Sequence, residues 1–208
     1  MNLPHGSVDN ELIRRASEGD QSALRKLFDC HRERLRRMIA VRLDPALAPR
    51  VDPSDVVQES FMEASQKLLD YCSKPSIPFY PWLRKIAWER LVHIHTRHLA
   101  VQRRSVRREA GKEPQLSDAS VMEFADRFAA SQTSPSRGLV RKELQRRVRS
   151  ALEELEANDR EILVLRYLEG LSIKEIAAIL EMSETAASMR HLRALERLRG
   201  LLANPFEE

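Results

Sequence analysis

Two carboxylates in the first half of this 208-residue chain have a spacing that could support chemistry. Asp55 and Glu59 are four residues apart, so a helix would place both on one face, as a metal site or an acid–base pair requires. No histidine and no third carboxylate is organised around them. We therefore predict that this pair is not a catalytic site.

Three histidines, His93, His95 and His98, could also be imagined as a metal cluster. On a helix, however, His95 lies roughly 200° around the axis from His93. A solvated helix face is the better interpretation. We predict no metal site and no cofactor.

The face that carries Asp55 has a second interpretation, as a surface for docking on a protein. Glu59 and Met62 share this face, and Gln58 and Val56 lie beside it. Carboxylates, an amide and an apolar side chain together suit a basic protein surface. The alternative is that Asp55 is the acidic third residue of a capped helix and that Glu59 is only solvated.

The stretch 159–199 has the pattern of a helix-turn-helix. Gly170 stands where a helix should end, and Ser172 with Glu175 forms a capping box that starts the next helix. Ala177 is small where two helices must approach closely, and Glu181 occupies the turn position usually filled by glycine, at a cost of about 1 kcal/mol if its backbone is left-handed. The alternative is a helical hairpin whose arginines are solvated.

The second helix of this motif is predicted over residues 183–202, with Ala187, Leu195 and Leu198 facing inward. Side chains in its N-terminal half would reach the edges of DNA bases in the major groove. These are Thr185, Ser188, Met189, Leu192 and Arg193. Arg190, Arg197 and Arg199 are better placed for phosphates.

Composition favours an all-α fold, and the order of elements described next divides it into two helical domains. Glycine occurs 6 times, aromatic residues make up 5%, and the formal net charge is +4 with arginines clustered in stripes, which suits nucleic-acid binding. Cys30 and Cys72 have no metal-ligand spacing and are predicted to be reduced thiols. Without a long apolar run or a signal-like N-terminus, we expect a cytoplasmic protein.

Helical periodicity and helix breakers predict the order of elements. A short helix over 11–18 and helices over 20–43, 52–71 and 79–99 form an N-terminal bundle, with Asp52 as N-cap and Pro53 in the first turn. Residues 106–136 are predicted as a linker, in which Ser120 and Glu123 could cap one short helix. A further helix, capped by Ser136, begins the C-terminal domain. The predicted boundaries are 9–105, 106–136 and 137–202.

In this order the motifs resemble a bacterial sigma factor. The stretch Asp55-Val-Val-Gln-Glu-x-Phe61 is followed by Phe79-x-x-Trp82-Leu83-x-x-Ile86-Ala87 and then by the helix-turn-helix. This combination is most similar to the two-domain extracytoplasmic-function class (group IV) of the sigma-70 family. The resemblance covers residues 9–104 (region 2) and 138–202 (region 4), and leaves the linker unmatched.

The resemblance implies a specificity subunit and not an enzyme. Region 2 would bind the clamp helices of the β′ subunit of core RNA polymerase through Asp55, Gln58 and Glu59, with Val56 and Met62 beside them. It would also open and capture the −10 promoter element. Region 4 would bind the −35 element as duplex and contact the β flap. An anti-sigma factor is a possible further partner.

The −10 element would lie along the outward face of the helix over 79–99 and the basic run after it. The residues predicted to contact it are Lys85, Trp88, Glu89, Val92, Arg97, Arg103 and Arg104, with His95 on the same face. Trp88 would be an exposed stacking surface for an unpaired base, whereas Trp82 is predicted to be core. Glu89 stands where the family usually has Asn, and Ser188 where relatives are often basic, so both promoter preferences are open.

Two other functions fit parts of the sequence. One is a helix-turn-helix regulator whose N-terminal bundle is a sensor or dimerisation module. The other is an interaction protein that sequesters partners through its helical bundles. The face of Asp55, Gln58 and Glu59 separates the sigma factor from the regulator, which has no need of it. The arginines of the recognition helix argue against the interaction protein.

Overall fold

The computed structural model describes residues 5–102, 116–130 and 141–203, and every regular element in these ranges is a helix. The predicted all-α fold is confirmed. The chain divides into two compact units, Met1–Gln115 and Leu116–Glu208, while the finer boundaries expected from the sequence stay predictions. Within the described ranges, no helix combines the length and apolar character that a membrane crossing requires.

The described part of the first unit consists of four helices: α1 (His5–Ser17), α2 (Gln21–Arg42), α3 (Pro53–Ser73) and α4 (Phe79–Gln102). Asp20 and Asp52 cap α2 and α3 by accepting hydrogen bonds from main-chain N–H groups in the first turn, and Pro53 occupies the first position of α3. The predicted cap at Asp52 is confirmed. Helix α1 begins earlier than expected although it includes Gly6, and α4 ends later than expected because no glycine or proline follows Pro81 in it.

The core of the first unit is built from the apolar stripes that helical periodicity predicted. Phe28 of α2 and Phe61 of α3 stack with their ring centroids 4.5 Å apart. Leu24 and Ile94, which continue these stripes at helical spacing, are only half-buried. Ten further positions of the stripes are buried: Leu27, Leu35, Met38, Ile39, Val57, Ala64, Leu68, Leu83, Ala87 and Leu91.

The described part of the second unit contains α5 (Asp118–Ala130), α6 (Arg141–Glu154), α7 (Ala157–Leu163), a π-helical turn (Val164–Leu168), α8 (Ile173–Ile179) and α9 (Glu184–Ala203). The π-helical turn continues directly from α7 and was not predicted. Helices α8 and α9 form the predicted helix-turn-helix. The predicted cap of α6 at Ser136 lies outside the described residues.

Three local features that shape the helix-turn-helix are as predicted. Gly170 ends the preceding helix with a left-handed backbone (φ 72°), after which the Leu171 N–H donates to the Leu165 carbonyl at 3.1 Å. Ser172 and Glu175 form the capping box of α8. Glu181 has φ 53°, which makes it the one non-glycine residue with positive φ in the described ranges.

Helix α5 lies inside the stretch that was predicted to be a linker. It contacts α6 and the π-helical turn, and the Arg127 guanidinium donates to the Tyr167 carbonyl at 2.9 Å. Phe124 is fully buried, 5.6 Å from the Tyr167 ring between centroids. At least residues 118–130 are therefore part of a packed unit, because α5 has an apolar face that its neighbours cover.

The predicted cap of this short helix is wrong in position. The Ser117 hydroxyl accepts from the Ser120 N–H at 3.1 Å, so Ser117 occupies the cap and Ser120 is the third residue of the helix. Glu123 instead pairs with Arg127 one turn later, at 2.5 Å. The sequence offers serine at both positions, and the buried position of Ser120 decides between them.

Candidate functional site

The outward face of α3 carries most of the predicted docking residues. Asp55, Gln58, Glu59 and Met62 are all exposed, and Met62 is 66% exposed. Their spacing of three and four residues aligns them along one side of the helix. The face is acidic at the N-terminal end of α3 and apolar further along.

Val56 does not belong to this face. Its side chain is only 2% exposed and is part of the core of the first unit. The prediction that Val56 contributes to docking is therefore wrong, because one position along a helix turns the side chain by about 100°, here from the outward face into the core. Leu69, seven residues after Met62, is 63% exposed and extends the apolar end of the face. It was not predicted, although its spacing from Met62 could have indicated it.

Arg90 of α4 reaches across to this face. Its guanidinium nitrogens lie 3.5 Å from a carboxylate oxygen of Glu59 and 3.3 Å from one of Glu63. The cation therefore holds the Glu59 side chain and partly offsets its charge. Nothing in the sequence predicted this contact, because Arg90 and Glu59 lie on different helices.

The acidic face and the basic end of α4 also line one cavity of about 320 Å³. Asp55 and Glu59 line it from α3, and Arg90, His93 and Arg97 line it from α4. Two surfaces that were predicted to bind different partners, the docking face and the phosphate-binding Arg97, thus adjoin. Whatever binds one of them changes the electrostatic environment of the other.

Helix α4 presents Lys85, Glu89, Val92 and Arg97 to solvent, as predicted. Trp88 is half-buried and not exposed, and the guanidinium carbon of Arg42 lies 5.7 Å from the centroid of its rings. The stacking surface expected of Trp88 is therefore partly covered by the first unit itself. Arg103 and Arg104 lie outside the described residues.

The other aromatic and imidazole side chains of α4 have structural partners. Trp82 is half-buried, with its ring centroid 4.6 Å from that of Tyr71 and 5.5 Å from that of Phe79. His95 accepts a hydrogen bond from the Asp44 N–H at 3.4 Å, so it is not simply an outward residue. Across the described side chains, no three His, Cys, Asp or Glu residues converge on a possible metal site.

Helix α9 has a buried apolar stripe on its inward side and an accessible outward face. The predicted inward residues Ala187, Leu195 and Leu198 are buried, and Ala194 joins them. On the outward face, Thr185, Met189, Leu192 and Arg193 are exposed, whereas Ser188 and Arg190 are half-buried. The predicted base-contacting residues therefore share the accessible side of the helix, apart from the partly covered Ser188.

Arg197 differs from the other arginines of α9. Its guanidinium contacts the carboxylate of Asp159 on α7, which is 4% exposed, and lies 3.7 Å from a carboxylate oxygen of Glu156. The prediction treats Arg197 as a phosphate ligand. In the structure its charge already neutralises a buried carboxylate and ties α9 to α7.

We expect Arg197→Ala to destabilise the second unit, because it leaves the Asp159 carboxylate buried without its cation. Loss of a partner by a buried polar group costs about 1–3 kcal/mol. Urea unfolding followed by far-UV circular dichroism measures this loss. The control is Arg193→Ala on the exposed face, which should leave the free energy of unfolding unchanged. Equal stability of the two variants would contradict the assignment.

Comparisons with known proteins agree with this geometry. The family model described as Sigma-70, region 4 matches residues 136–198, a stretch that contains α6 to α8 and most of α9. The chain is 29% identical over 196 residues to the ECF RNA polymerase sigma-E factors of Escherichia coli (strain K12) and Salmonella typhimurium (strain LT2), with 92% of each chain covered. It is 27% identical over 195 residues to the RNA polymerase sigma-H factor of Pseudomonas aeruginosa, with 91% of each chain covered.

Among solved structures, the chain is similar to CnrH in its complex with the cytosolic domain of CnrY. The TM-score is 0.55 and the sequence identity 28%, with 94% of this chain and 97% of that chain covered. The sequence relatives and this structural relative span both units. Residues 136–198 thus match the Sigma-70, region 4 family, and over both units the chain is similar to extracytoplasmic-function sigma factors.

Proposed function

We propose that the chain binds core RNA polymerase and directs it to promoters, with the two tasks divided between its two units. The observation that carries this proposal is the exposed face of Asp55, Gln58, Glu59 and Met62 on α3, in a chain that also contains a helix-turn-helix. A protein that only bound DNA would have no use for this face. The chain is then not an enzyme, since the polymerase supplies the chemistry, and it acts in the cytoplasm where the polymerase works.

The face on α3 is proposed to dock on the clamp helices of the β′ subunit. Its exposed carboxylates suit a basic surface, and Met62 adds apolar area that is lost from water on binding. Arg90 positions Glu59 for this contact by bridging it to α4. Val56 takes no part in this contact, because its side chain is buried.

The outward side of α4 is proposed to capture the −10 element as a melted strand. Lys85 and Arg97 supply positive charge, and the accessible part of Trp88 supplies a surface on which a base can stack. Glu89 only accepts hydrogen bonds, so it favours bases with exposed amino groups. Arg103 and Arg104, which lie outside the described residues, are proposed to add positive charge for the same element.

Helix α9 is proposed to enter the major groove of the −35 element while the second unit contacts the β flap. Its exposed residues Thr185, Met189, Leu192 and Arg193 face the bases, with Ser188 at the edge of this face. Arg190 lies to one side of it, where a phosphate would pass. Arg197 contributes mainly by holding α9 against α7.

Binding of the holoenzyme to promoter DNA should depend steeply on salt. If about six arginines neutralise phosphates, a plot of log affinity against log salt concentration has a slope near −5. A competition assay at several potassium chloride concentrations measures the slope. A much flatter dependence would contradict the phosphate contacts assigned to the arginines.

Transcription in vitro with core RNA polymerase over a library of randomised promoters tests the proposed function. We expect transcripts only when the chain is added, from promoters that share two sequence elements at one spacing. A helix-turn-helix regulator would instead bind DNA without core polymerase and start no transcripts with it. That outcome would contradict the proposed function and indicate a helix-turn-helix regulator.

A protein that restrains the chain is a further proposed partner. The related CnrH was solved in complex with the cytosolic domain of CnrY. We propose that an anti-sigma protein binds this chain in a comparable way and competes with core polymerase. Co-purification from its native cell, with and without added core polymerase, tests this competition.

A further inference from the structure

Two large apolar side chains lie exposed on the outward face of α9. Met189 is 48% and Leu192 is 53% exposed, and they are two of the six exposed large hydrophobic residues in the described ranges. Nine residues at about 100° each place Met189 opposite the buried Leu198. Leu192 is one turn further along and on the same side, since residues three apart are neighbours on a helix.

Their position sets these two residues apart from ordinary exposed apolar residues. Single exposed hydrophobic residues need no explanation. Here, however, an adjacent pair lies where a helix-turn-helix presents side chains to base edges, beside the exposed cation of Arg193. When α9 enters a groove, both side chains are removed from water. They then need an apolar surface in the groove to contact.

The major groove offers one apolar feature to such side chains, which is the C5-methyl group of thymine. The other base edges present hydrogen-bond donors and acceptors, which an apolar side chain would desolvate without compensation. Met189 and Leu192 have no group that can read guanine, cytosine or adenine by hydrogen bonding, apart from the weak acceptor of the thioether. Selectivity at these positions therefore points to thymine.

On the basis of the function proposed above, we propose that Met189 and Leu192 read thymine in the −35 element by contact with its C5-methyl groups. Neighbouring side chains three residues apart on a helix are about 5–6 Å apart at Cβ. Successive base pairs are about 3.4 Å apart along the axis. The two methyl groups thus belong to adjacent or next-but-one base pairs, on either strand.

The test removes the methyl groups from the DNA and leaves the protein unchanged. The −35 element comes from the randomised library, and each thymine in it is replaced singly by deoxyuridine. Affinity of the holoenzyme for each duplex is measured by competition. Burial of one methyl group predicts about three- to fivefold weaker binding for one or two specific thymines and no change for the others.

The same duplexes are then measured with Met189→Ala and Leu192→Ala. Each variant should bind the thymine-containing element more weakly and lose its sensitivity to deoxyuridine at one position. Val8→Ala, at another exposed apolar residue that is 45% exposed, should keep the full sensitivity. Because all three side chains are exposed, circular dichroism should show unchanged folding.

Two results would overturn this inference while leaving the proposed function intact. One is a selected −35 element without thymine at adjacent or next-but-one pairs. The other is equal affinity of the wild-type holoenzyme for every deoxyuridine duplex. If instead no promoter in the library is transcribed, the proposed function itself fails, and the assignment of Met189 and Leu192 fails with it.

Discussion

Replacing Asp55 and Glu59 together by alanine should weaken the binding of the chain to core RNA polymerase by at least about a hundredfold. A hydrogen bond or ion pair to a charged group is worth about 1.5–3 kcal/mol, and two of them exceed the 2.8 kcal/mol that corresponds to a hundredfold change. Both side chains are exposed, so their removal should not affect folding. Binding is measured with labelled chain and purified core polymerase.

A second pair of carboxylates in the same unit provides a matched control. Asp29 and Glu33 of α2 are also exposed, are also four residues apart, and each pairs with an arginine one turn later. The double variant Asp29→Ala/Glu33→Ala changes the net charge by the same amount. It should keep the wild-type affinity. Equal loss of affinity in the two double variants would mean that only overall charge matters. Full affinity in both would contradict the proposed docking face.

The single variants should differ from each other. Glu59 is held by Arg90 of α4, at 3.5 Å, whereas Asp55 belongs to the first turn of α3. Arg90→Gln should therefore weaken polymerase binding less than Glu59→Ala does, since it frees the carboxylate without removing it. An Arg90→Gln variant with full affinity would show that Arg90 does not position Glu59.

Phe124→Ala should destabilise the second unit by about 3–5 kcal/mol, the usual cost of removing a large buried aromatic side chain. Phe124 is fully buried, and its ring centroid is 6.0 Å from that of Phe128 and 5.6 Å from that of Tyr167. The same substitution in a solvated linker would have almost no effect on the free energy of unfolding. The experiment therefore measures how much the packing of α5 stabilises the second unit.

The tryptophans make this measurement specific to one unit. Trp82 and Trp88 are the two tryptophans of the chain and both lie in the first unit. In urea unfolding of Phe124→Ala, tryptophan fluorescence should follow the wild-type curve, whereas far-UV circular dichroism should show an earlier transition. Asp126→Ala on the exposed side of α5 is the control and should leave both curves unchanged. An unchanged circular dichroism curve for Phe124→Ala would show that the packing of α5 adds nothing to the stability of the second unit.

Features that depend on neighbours in the chain were predictable. The caps at Asp52 and Ser172, the helix stop at Gly170 and the left-handed turn at Glu181 each depend on a few consecutive residues. The same holds for the inward stripe of α9, which repeats with the helical period. Local sequence was sufficient here, because the hydrogen bonds involved are made within one or two turns.

Predictions failed where the outcome depended on which side of a helix its neighbours cover. Val56 was assigned to the docking face next to Asp55, but α3 turns it into the core. Trp88 was expected to be exposed, but Arg42 from α2 lies 5.7 Å from its ring centroid. Periodicity identifies residues that share a face, but residues at the edge of that face are buried or exposed according to the next helix.

By itself, the sequence determined the helical elements, their caps, the helix-turn-helix and the acidic face of α3, all of which follow from residues within a few turns of each other. The tertiary structure alone decided that Arg90 holds Glu59, that Arg197 neutralises Asp159 and that α5 packs against the π-helical turn. Each of these contacts joins residues that are about thirty or more positions apart. Their partners are chosen by how the helices pack, and no local pattern in the chain encodes that choice.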